Sequence, residues 1–64
     1  MSSNITVYNA YQKRQLLDAA DVFWCDLKYV KHNSRSITYR LSHKNKGNFL
    51  NCRQYYYMKI QGRI

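Results

Sequence analysis

The apolar residues of this chain change their spacing part-way along, and that change limits the folds open to it. From Leu16 to Val30 they recur at helical intervals. Placed at about 100° per residue, Leu16, Leu17, Ala20, Phe23, Trp24, Leu27 and Val30 fall on one stripe, with Asp18, Asp21, Cys25 and Lys28 opposite. From Ser36 to Ser42 the period is two, with Ile37, Tyr39 and Leu41 against Thr38, Arg40 and Ser42. A chain with both periods has to pack a helix on a sheet, which is an α+β domain.

The remaining segments fit around these two. Residues 4–8 are short and β-branched and suit a strand. Asn9 to Gln12 resembles a capping box, so the helix is expected to start there and to stop near His32-Asn33-Ser34, with Lys28 and Lys31 suiting its negative end. A competing reading makes Val22–Lys31 a strand, since Val, Phe, Trp, Cys and Tyr favour sheets. Its two faces are poorly distinguished, and the period favours the helix.

After the first alternating run, His43 to Asn48 reads as a turn, with Gly47 or the asparagines supplying positive φ. Phe49–Ile60 alternates again, with Leu50, Cys52, Tyr56, Met58 and Ile60 on one side. Pairing Leu41 with Leu50 leaves Tyr56–Ile60 overhanging, to be met by the strand Ile5–Tyr8. The expected fold is strand-helix-hairpin (β-α-β-β), a three-stranded antiparallel sheet with one amphipathic helix on one face. The alternative is an N-terminal helix followed by a three-stranded meander.

At 64 residues this is one small basic domain, spanning 1–64. A chain this short buries only roughly 60% of the surface its unfolded form exposes, so it gains from extra packing or a partner. Dimerisation through the helix and Trp24 is one such route. A hydrophobic fraction of 45% is too high for a disordered basic tail. The start lacks the basic and apolar regions of a signal peptide, and no apolar run approaches the ~20 residues that span a bilayer. With only Cys25 and Cys52, the expected setting is a reducing cytoplasm, without membrane association.

Charge gives the functional direction. Leu27 to Ile64 carries nine Lys/Arg and no carboxylate, whereas the preceding residues hold two Lys/Arg and all three acids, Asp18, Asp21 and Asp26. Ordinary solvating surfaces mix both signs, so this asymmetry points to a polyanion or an acidic partner. On the expected register, the uncovered sheet face displays Arg40, Arg53, Tyr55, Tyr57 and Lys59, flanked by Lys44 and Lys46. Cations interleaved with flat rings suit nucleic acid: charges track phosphates, and each base stacked on a ring contributes about 1–3 kcal/mol. RNA or a single strand is favoured over duplex on that ground.

Sharper chemistry finds less support. Cys25, His32, His43 and Cys52 are four ligand types without the paired spacing of small zinc modules. A nuclease centre from His32 or His43 with Arg35 or Arg40 would lack any carboxylate after Asp26. The expectation is therefore a non-enzymatic module with no catalytic residue, cofactor or metal. The second functional class is a small inhibitor or adaptor, of the phage-encoded kind, docking on an acidic surface of a host protein or nucleoprotein complex.

Overall fold

The computed structural model describes residues 1–63. Its elements run β1 (Ser2–Val7), α1 (Ala10–Val22), β2 (Asp26–Asn33), β3 (Ser36–Ser42) and α2 (Lys46–Ile60). The sheet is three-stranded and antiparallel, in the order β1-β3-β2. The α+β class and the strand-helix-hairpin order of the first four elements are as expected from the sequence. The hairpin, however, is Asp26–Ser42 rather than Ser36–Ile60, and a second helix follows it. A meander after the first helix is not formed.

Helix α1 begins where the sequence predicts. The Asn9 side chain accepts from the Gln12 backbone N–H at 2.8 Å, and the Gln12 side chain accepts from the Tyr8 N–H at 2.9 Å. It ends at Val22, well before the expected stop near His32-Asn33-Ser34. Trp24 adopts φ 59°, and the N–H groups of Trp24 and Cys25 turn back to the carbonyls of Asp21 (3.3 Å) and Ala20 (2.8 Å). This is the left-handed Schellman termination that glycine usually supplies. The predicted stripe is accordingly split. Leu16 and Ala20 are buried, Leu17 is 47% exposed, and Trp24 and Val30 face solvent from a turn and a strand.

The strand β2 departs from simple alternation at one place. Tyr29 pairs with Tyr39 and Lys31 with Thr38, so Val30 is an extra residue in a bulge. Leu27, Tyr29 and His32 thereby share one side of the sheet, and Lys28 and Lys31 share the other.

The predicted strand Phe49–Ile60 is instead the body of α2. Asn45 caps it, accepting from Asn48 N–H at 3.0 Å. Cys52, Tyr56 and Ile60 are four apart, a spacing that both strand and helix tolerate. Phe49 decides between them. Alternation would put it opposite Cys52, yet both are buried in the same core, as positions i and i+3 of a helix are. Gly47 lies within this helix, and the positive-φ glycine is Gly62, past its end.

The helices run antiparallel, joined by Tyr55 OH to Asp18 Oδ2 (3.3 Å) and Tyr11 OH to the Lys59 carbonyl (3.1 Å). Ile5, Val7 and Leu41 of the sheet meet Leu16, Ala19, Ala20, Phe49, Cys52 and Tyr56 of the helices in one core. The other sheet face is left without a layer over it.

Candidate functional site

The open face can be read off the strand register. Asn4, Arg40 and Lys28 form one row across the three strands, and Thr6, Thr38 and Lys31 the next. Ser2, Ser42 and Asp26 form a third, which brings in the face's single carboxylate at one end. Thr6 and Thr38 share a hydroxyl hydrogen bond of 3.0 Å. Thr38 is buried although no helix lies above it, because it sits on the central strand, flanked in its row by Thr6 and Lys31. With Ser36 and Asn33 as a fourth row, these rows hold hydroxyls, two amides, three cations and the one carboxylate, with no aromatic ring. Such a surface donates hydrogen bonds and positive charge but offers bases nothing to stack on.

Of the predicted site residues, only Arg40 lies on this face. Lys44 borders a shallow hollow of about 290 Å³ with Ser42 and Asp26, and Lys46 opens α2. The expected grouping of Arg53, Tyr55, Tyr57 and Lys59 with Arg40 is not formed, since all four ride on α2 across the core. Tyr55 is also engaged internally. Phe23 meets its ring edge-on at 5.5 Å, Lys59 Nζ stands 5.4 Å from its centroid, and its hydroxyl reaches Asp18. Arg53 packs its guanidinium 5.8 Å from the Phe49 ring and 6.0 Å from that of Tyr57. These contacts use the cations and rings of α2 to hold the helix rather than to present a stacking platform.

The sequence reading missed Lys28 and Lys31 as partners of Arg40, because it placed both on a helix. The signal was present but interrupted: with Val30 set aside, residues 26–33 alternate cleanly. It also missed a cleft of about 560 Å³ at the end of the sheet, between the start of α1 and the β2–β3 turn. Among the described residues, no group of three His, Cys, Asp or Glu comes together to hold a metal, and no helix is long and apolar enough to cross a membrane. Burial, with Cys25 hydrogen-bonded beside it, pushes the Cys52 thiol up to about 12, which suits a packing role.

The chain matches no protein-family model, no curated protein and no solved structure. The functional reading therefore rests on the geometry above.

Proposed function

We propose that the protein is a small, non-enzymatic nucleic-acid-binding module that grips phosphates with the open face of its sheet. The observation that supports this is the row Asn4–Arg40–Lys28 beside Thr6–Thr38–Lys31, a flat polar surface with three cations against one acid. Strands hold these side chains at fixed spacing, so Lys28, Lys31 and Arg40 engage successive phosphates while the hydroxyl and amide groups hydrogen-bond the backbone. Affinity arises from counterion release and carries little sequence preference. Lys44 and Lys46 steer the approach from the side of the sheet. The preference for RNA or a single strand, which rested on sheet-borne tyrosines, has no counterpart on this face.

The test is fluorescence anisotropy with labelled single-stranded and duplex oligonucleotides from roughly 50 to 200 mM salt. Binding should weaken steeply with salt, and Lys28→Gln with Arg40→Gln should flatten that dependence. Equal salt slopes for the wild type and the double variant would remove the open face from consideration.

One observation favours the second reading, an adaptor or inhibitor on an acidic protein surface. Trp24 is 87% exposed and held in the left-handed region, a costly placement for a large side chain. Tryptophan is enriched among the anchors of protein interfaces. Under this reading Trp24→Ala abolishes capture of a single stoichiometric protein, and the oligonucleotides bind weakly from the start.

A further inference from the structure

The cleft at the sheet end is a separate construction from the open face. Its floor is apolar, made by Val7 of β1 and Ile37 of β3, which pair with each other. Two exposed tyrosines line it from opposite edges of the sheet: Tyr8, which follows β1, is 66% exposed, and Tyr29 of β2 is 58% exposed. Two strand spacings separate those edges, about 10 Å, a span that takes one planar ring system. Lys13 of α1 and Arg35 of the β2–β3 turn supply positive charge at the rim, His32 of β2 adds an imidazole, and no carboxylate lines the cavity.

The Val30 bulge builds this arrangement. In a regular strand residues three apart face opposite ways, and the extra residue puts Tyr29 and His32 on the same side. Their side chains are hydrogen-bonded to each other through the Tyr29 hydroxyl and His32 Nδ1, which leaves Nε2 for a ligand. The capping interactions of Asn9 and Gln12 already occupy the Gln12 and Tyr8 N–H groups.

We propose that this cleft binds a nucleoside phosphate, its ring system lying over Val7 and Ile37 against Tyr8 and Tyr29 and its phosphate held by Lys13, His32 and Arg35. The combination of aromatic residues, an apolar floor and cations at the rim matches a ligand that carries both a flat ring and an anionic group. The volume lies within the range of cavities that hold small ligands. The ligand is either a free nucleotide or the phosphorylated end of a strand. The cleft shares no residue with the phosphate-gripping rows, and it stands whether or not the open face binds polymer.

The full chain, labelled with ¹⁵N, is titrated with adenosine 5′-monophosphate, adenosine and inorganic phosphate in parallel. The monophosphate should bind at least tenfold more tightly than either part, with shifts centred on Tyr8, Lys13, Tyr29, His32 and Arg35. Arg35→Gln and Tyr8→Ala, both at exposed positions, should each weaken it about tenfold, while Lys28→Gln with Arg40→Gln leaves it unchanged. A short oligonucleotide binding more tightly with a 5′-phosphate than with a 5′-hydroxyl identifies the strand end as the ligand. Equal binding of the two oligonucleotides, with the monophosphate still bound, identifies the free nucleotide. Inorganic phosphate binding as well as the monophosphate, shifts centred on Lys28 and Arg40, or no saturable shift would each overturn the proposal.

Discussion

The two faces of the sheet draw on the same strands for opposite purposes. Along β3, Leu41 points into a core closed by Leu16, Phe49, Cys52 and Tyr56, while Arg40 beside it points to a surface that nothing covers. Burial of apolar area dominates the first face, and long-range charge dominates the second. Because successive residues of a strand face opposite ways, substitutions one position apart should affect stability or binding but seldom both.

The sharpest way to break that separation is through the core. Tyr56→Ala removes a ring that is only 1% exposed and should cost about 3–5 kcal/mol, enough to unfold much of so small a domain. Urea denaturation followed by far-UV circular dichroism measures this, and a loss under 1 kcal/mol would mean the helices are not sealed on the sheet as described. Next in size is the open face. Lys28→Gln with Arg40→Gln should lower the slope of log K against log salt by about 1.5–2 on duplex, with the unfolding midpoint nearly unchanged. Thr38→Val lies between the two cases, since it keeps the shape and loses the hydroxyl bond to Thr6. It should cost about 0.5–1.5 kcal/mol and weaken oligonucleotide binding by less than the double charge variant does, with the salt slope unchanged.

A separate effect concerns pH, and it is small anywhere below the alkaline range. The Cys52 thiol is raised from 9.0 to about 12, so the folded state favours its protonated form. That contribution is complete below pH 9 and is lost as pH rises toward 12. Denaturant midpoints taken across this window should fall, and Cys52→Ala should reduce the fall. Burial also raises the Tyr56 hydroxyl, which leaves a residual slope of the same sign. Native Cys52 should accordingly resist alkylation at mildly basic pH, and labelling followed by mass spectrometry reports this directly.

Much of the fold was legible from local rules, and the failures have specific causes. The start of α1 at Asn9 and the limits of β3 follow from capping and alternation, and both stand as read. The early stop of α1 was hidden because Trp24 occupies the position where glycine ends a helix. The end of α2, by contrast, has Gly62 at φ 75° with the same pair of return hydrogen bonds, to Lys59 and Met58. The strand β2 was hidden by one bulged residue, which breaks a period-two pattern in the middle. The identity of α2 was hidden by the four-residue spacing of Cys52, Tyr56 and Ile60, which fits both periods. The candidate site suffered from those same errors. The excess of cations was plain in composition, but which of them share a surface depends on β2, and Lys28 and Lys31 could not join Arg40 until that strand was recognised.

The strand order has a consequence for how the molecule comes into being. β2 and β3 are neighbours in the chain and close through a short turn, an event on a microsecond scale. β1 is made first, yet its only partner in the sheet is β3, so it waits through the synthesis of a helix and another strand. A nascent chain that halts before Ser36 therefore holds no sheet at all, and the last strand to be translated is the one that unites the other two.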